Sequence, residues 1–191
     1  MTKPELGLFQ HQELHQRIWA HPFEHTDQAR DLTRRLAMEQ GWSLQQARQA
    51  VVEYRRFCFM ACVANHPVTP SEEVDAVWHL HLLHTRDYWE VFCPHVLGRP
   101  LHHGPTLGGQ QEESRFYDQY AQTLSAYEQW FGEPPPHAWW PSAQERFQPS
   151  RNWRWAYLPD VWLVPKPATW WRHARRWAMS LPRFFNRKEV A

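Results

Sequence analysis

Three cysteines make up the thiol complement of this chain, and Cys58, Cys62 and Cys93 form no CxxC pair. An odd, scattered set does not build a disulfide framework, so we read the chain as belonging to a reducing cytoplasm. Cys58 and Cys62 lie one helical turn apart without a His or Cys at zinc spacing beside them, which reads as buried apolar thiols. The chain also lacks any run approaching the ~20 apolar residues of a spanning helix. Its N-terminus does not join a basic start to an apolar core, as a secretion signal would. Sustained alternation of apolar and polar residues is missing, which argues against a sheet. No Ser or Cys stands in a nucleophile motif, and Gly108-Gly109 is too short to cradle a phosphate, so a hydrolase triad or a nucleotide enzyme is not expected.

What is abundant is tryptophan, with 13 among 191 residues, and an overall hydrophobic share of 42 %. That share supports one core weighted toward large rings. The formal net charge of +1 hides two unlike parts. From Arg151 onward nine Lys/Arg face only Asp160 and Glu189, a net +7, while residues 1–150 carry 12 Lys/Arg against 18 Asp/Glu, a net −6. An acidic body with a basic tail is implied.

The apolar spacing predicts an all-α fold, a compact bundle of about five helices. The first covers about 5–19 and ends at His21-Pro22. Thr26 or Asp27 caps a second that runs to Gln40, where Gly41 suits the left-handed residue after a helix. Ser43-Leu-Gln-Gln46 forms a capping box for a long third helix through Val51, Tyr54 and Cys58, the central one. A second box at Thr69-Pro-Ser-Glu72 starts a fourth helix, expected to run from about 70 to 92, followed by an ordered loop over 93–109. A fifth helix covers about 110–131. Residues 1–136 are thus expected to form the helical domain and 137–191 a Pro/Trp/Arg-rich extension that ends in a basic amphipathic helix, 168–181.

The fourth helix carries the chemistry. Asp75, His79, His81 and His84 fall within ten residues, and Leu101-His102-His103 follows in the loop. On a helix, i and i+4 lie about 40° apart but i and i+2 about 160° apart, so His79 and His81 cannot share an ion. Asp75 with His79 makes the better metal pair, because a carboxylate and an imidazole one turn apart suit zinc, iron or manganese. His102 or His103 can complete that site if the turn at Gly98 brings the loop back. His81 and His84 face elsewhere, either orienting ligands or forming a second site with Cys93 or His95.

The segment VDAVWHLHLLHTRDYW, followed by FC, LG and LHHGPT, resembles the signature of the glycine-rich domain-containing proteins, a domain of unknown function with an Asp-x-x-Trp-His-x-His core and a later Tyr, Cys and His. The likeness spans about residues 54–132. By position it implies roles for Asp75, Trp78, His79, His81, Tyr88, Cys93 and one of His102 or His103, with His84 belonging to the bacterial-type version. The long glycine-rich region of the plant members is missing here.

Two functions follow as expectations. One is a cytosolic metalloprotein, with zinc or iron held by Asp75, His79 and His102 or His103, which becomes an enzyme if a coordination position stays open. The other is an adaptor whose histidine helix is polar core and whose residues 168–188 dock on an anionic membrane surface or a membrane-protein partner, with the protein peripheral at the membrane. The −6 body repels phosphates and argues against nucleic acid.

Overall fold

The computed structural model of the chain describes residues 11–27, 31–104 and 110–147. These contain seven helices and no strand: α1 (Gln12–Ala20), α2 (Leu32–Gln40), α3 (Leu44–Val63), α4 (Glu72–Leu83), a π-helix (Asp87–Leu97), α5 (Gln110–Phe131) and the short α6 (Ala143–Arg146). All of them fall within a compact unit, Met1–Ala156; a second unit, Tyr157–Ala191, lies outside the described residues, and so do the amphipathic helix expected over 168–181 and the docking surface expected over 168–188. Among the described residues no helix is long and apolar enough to cross a membrane.

The capping box at Ser43 closes in both directions: Ser43 Oγ accepts from Gln46 N–H at 3.2 Å, and Gln46 Oε1 accepts from Ser43 N–H at 2.9 Å. Four orphan amides open every helix, and this pairing satisfies two donors at the start of α3. Gly41 takes φ 67°, the left-handed value that ends α2 without a Cβ penalty. Two expected caps move. α2 is capped by Asp31, whose side chain accepts from Arg34 N–H at 2.8 Å, in place of Thr26 or Asp27. α4 is capped by Ser71, which accepts from Val74 N–H, in place of Thr69.

α3 is the central element and packs against α1, α2, α4, α5 and the π-helix. Its Tyr54, Phe57, Cys58, Phe59 and Met60 are almost wholly buried. Arg55 of α3 donates to the carbonyls of Ile18, Trp19 and His21, so a guanidinium meets the exposed carbonyls that end α1.

The expected fourth helix is not continuous. α4 stops at Leu83, and after a kink at His84 (ψ 57°) the chain resumes and winds as a π-helix through Leu97, where a loop was expected. Pro94 sits inside this segment. In an α-helix its ring would press on the carbonyl four residues back, and the wider i→i+5 winding relieves that clash. The burial pattern fits: Tyr88, then Phe92 and Cys93, then Val96 and Leu97 face the core, in steps of four to five residues, longer than the 3.6 of an α-helix.

Packing also continues past the proline run at 134–136. Trp140 is 2 % exposed, its indole N–H donates to Glu53 Oε2 at 3.0 Å, and Tyr120 Oη donates to Pro141 O at 2.8 Å.

Candidate metal centre

Among the described residues two groups of potential ligands form, each with two imidazoles and one carboxylate: Asp75, His79 and His103, and His21, His81 and Asp87. Within each group one ligand atom per residue lies within 4.8 Å of the others.

The first group joins α4 to the loop after the π-helix. Gly98, at φ 73°, reverses the chain, and Gly98 N–H and Arg99 N–H both donate to Cys93 O. Trp78 Nε1 then donates to Tyr88 Oη at 2.8 Å, and Tyr88 Oη donates to Leu101 O, which holds the loop against α4. Two residues further, His103 lies 4.5 Å from the Trp78 ring, centroid to centroid. Its Nε2 is 2.9 Å from Asp75 Oδ1 and 2.9 Å from His79 Nε2, while His79 Nε2 is 3.6 Å from Asp75 Oδ2. The group is open to solvent, with His79 57 %, Asp75 29 % and His103 25 % exposed in their side chains.

His102 does not join it. Its ring lies 5.3 Å from that of Trp89 and is exposed.

The second group is interior and contains two residues that the sequence did not single out. His81 Nε2 lies 2.8 Å and His21 Nε2 3.0 Å from the same oxygen, Asp87 Oδ2. On a continuous helix residues 81 and 87 would point to different faces, six positions leaving them about 120° apart around the axis. The kink at His84 is what brings them together. On its other side His81 Nδ1 is 2.9 Å from Tyr54 Oη. Phe23, Tyr88 and Phe92 pack edge-on against the His81 imidazole, at 5.1, 4.9 and 4.7 Å. No local sequence signal could have found His21 and Asp87, which are 66 positions apart.

His84 and Cys93 enter neither group. His84 lines a pocket of about 530 Å³ and has a buried Nε2 without a hydrogen-bond partner. Cys93 is buried beside Tyr88 and the Leu101 backbone, and burial pushes its thiol up, away from the thiolate that a ligand needs.

Burial would raise the Asp87 carboxyl, but the hydrogen bonds from His21 and His81 outweigh it and hold the group well below the usual carboxylate range. Burial lowers His81, against the pull of Asp87, and also lowers His84 and His15. A histidine lowered on folding binds its proton more tightly when unfolded. Its stabilisation is therefore complete above the unfolded value, about 6.5, and is lost as pH falls below it. The urea midpoint of metal-free protein should stay level between about pH 8 and 7 and decline below about 6.5. His84→Gln removes one contributor and should make the decline shallower; an unchanged slope would show that His84 is not one.

The sequence profile of the UCP032817-like family matches residues 12–118, which is more than half of the chain and includes both groups. No curated protein and no solved structure matches it.

Proposed function

Because the chain belongs to the UCP032817-like family, a domain of unknown function, its role has to be read from its own residues, and we propose that it is a metal-binding protein whose divalent ion, zinc or iron, is held by Asp75, His79 and His103. The observation that carries this reading is the convergence of the three donor atoms, two imidazole Nε2 atoms facing each other at 2.9 Å with a carboxylate oxygen beside them. Ligand bonds of about 2.0–2.1 Å at tetrahedral angles give donor spacings of about 3.3 Å. His103 Nε2 stands 2.9 Å from both His79 Nε2 and Asp75 Oδ1, a few tenths below that value, and His79 Nε2 to the other Asp75 oxygen is 3.6 Å, a little above it. Without an ion, the Nε2 of His103 must meet a carboxylate and a second imidazole nitrogen with at most one proton.

Asp75 and His79 are ligands, Trp78 backs His103, and Tyr88 positions the loop through Leu101. Three protein ligands leave a coordination position for water or substrate, the arrangement of catalytic zinc sites.

Titration of metal-free protein with zinc, followed by calorimetry, tests the reading. His79→Ala and His103→Ala should each weaken this site at least about 100-fold, beyond the 10–100-fold typical of residues that only orient a ligand. His102→Ala should leave it unchanged. Zinc binding that survives both ligand substitutions at full strength would refute the assignment.

A further inference from the structure

We infer that His21, His81 and Asp87 form a second, interior site for a divalent transition-metal ion, with Tyr54 as the residue that positions its His81 ligand. The site is separate from the Asp75 group and does not depend on it. A convincing metal site needs suitable donors, workable spacing, a supported outer layer and a way in.

The donors are two imidazoles and a carboxylate, a set that suits zinc, iron, cobalt or manganese. They come from three separate elements: His21 from the residue that ends α1, His81 from the last turn of α4, and Asp87 from the first residue of the π-helix. Nitrogen to oxygen separations of 2.8 and 3.0 Å lie a few tenths of an ångström below the tetrahedral spacing of about 3.3 Å, so an ion enters by pushing each imidazole slightly away from the Asp87 oxygen.

The outer layer is in place. Metal on His81 Nε2 requires the ring proton on Nδ1, where Tyr54 Oη stands at 2.9 Å to accept it. A hydrogen bond at the second ring nitrogen fixes the tautomer and the ring orientation of a ligand. His21 is fixed through its backbone, since Arg55 donates to its carbonyl at 2.8 Å. Tyr54 is fully buried, and its ring packs on Phe57 and Phe92, so it offers little freedom to rearrange.

Entry comes from the Asp87 side. Its side chain is 37 % exposed and forms part of the wall of the 530 Å³ pocket, together with Phe23, Leu83, Arg86 and Val91. The imidazoles themselves are closed off behind it, at 4 % and 0 % exposure. A site of this kind loads through one carboxylate and shields its nitrogens from solvent.

Full-length metal-free protein titrated with Co²⁺, followed by visible absorption and calorimetry, separates the two sites. The wild type should bind two equivalents and His79→Ala one. In the His79→Ala background, Asp87→Asn should abolish the remaining equivalent. Tyr54→Phe keeps the ring packing and should weaken that equivalent 10–100-fold. Circular dichroism and thermal melting check that each variant is folded. A His79→Ala protein that binds no cobalt overturns the interior site and leaves the proposed function standing. An equivalent retained in His79→Ala but indifferent to both Asp87→Asn and Tyr54→Phe lies elsewhere and also overturns it. A wild type that binds one equivalent, lost with Asp87→Asn and untouched by His79→Ala, supports the interior site and removes the other.

Discussion

Glu53→Ala is expected to cost about 3–5 kcal/mol of folding stability, the range for removing one partner of a buried ionic network. Glu53 lies in the middle of α3 with 0 % exposure. Its Oε2 accepts from Tyr127 Oη and from Trp140 Nε1, both at 3.0 Å, and its Oε1 accepts from Gln49 at 3.2 Å. Arg56 stands 3.8 Å away and reaches out to Glu133 at 2.8 Å. One carboxylate thus ties α3 to α5 and to the segment that carries Trp140. Truncation leaves the Tyr127 hydroxyl proton and the Trp140 indole N–H to find new acceptors, each at about 1–3 kcal/mol if unsatisfied, while Arg56 loses a nearby charge but keeps Glu133 and Tyr127. Glu53→Leu fills the volume but still strands those donors, so it should remain strongly destabilised. Glu53→Gln keeps an acceptor and should lose less, about 1–3 kcal/mol. The contrasting control is Glu39→Ala, which breaks an exposed pair with Arg35 and should change stability by no more than about 1 kcal/mol. Guanidinium denaturation at constant slope measures all four. A loss below about 1 kcal/mol in Glu53→Ala would show that the network is not a structural tie.

That network also marks where the sequence stopped being readable. Local signals were clear: the box at Ser43, the glycine at 41, the spacing along α3 and α5, and the proline after His21 all act within a few residues, and the all-α fold follows from them. The Asp75 and His79 pairing was readable for the same reason, being one helical turn. The choice between His102 and His103 was not, because it depends on Tyr88 holding Leu101 thirteen positions away. His21 and Asp87 gave no sign, since their meeting requires the chain to break at His84, and nothing in Leu83-His84-Thr85 forbids a helix. The prolines at 134–136 read as an end to packing because their effect on the backbone is local, whereas the burial of Trp140 against Glu53 is a contact across 87 positions.

Phe92 bears on whether the π winding serves the interior site. The side chain is fully buried, and its ring lies 4.7 Å from His81, 4.9 Å from His21 and 6.3 Å from Tyr54. Phe92→Ala should cost about 3–5 kcal/mol, the lost transfer free energy plus the cavity left behind, and Phe92→Leu less than about 1.5 kcal/mol. The neighbouring Val91 is 44 % exposed, and Val91→Ala should stay within about 0.5 kcal/mol. The register itself is tested at Cys93 and His95. In a regular α-helix that keeps Tyr88 and Phe92 inside, the next buried turn would fall at residues 95 and 96, with 93 turned outward. The π winding instead buries Cys93 and leaves His95 exposed. Cys93→Ser should therefore be destabilising, because it gives up the packing of a buried sulfur, while His95→Ala should be nearly neutral. Phe92→Ala should also loosen the two imidazoles that its ring packs against. If the interior ion requires them preset, cobalt affinity at that site falls in Phe92→Ala and is largely kept in Phe92→Leu, with the Asp75 site unaffected in both.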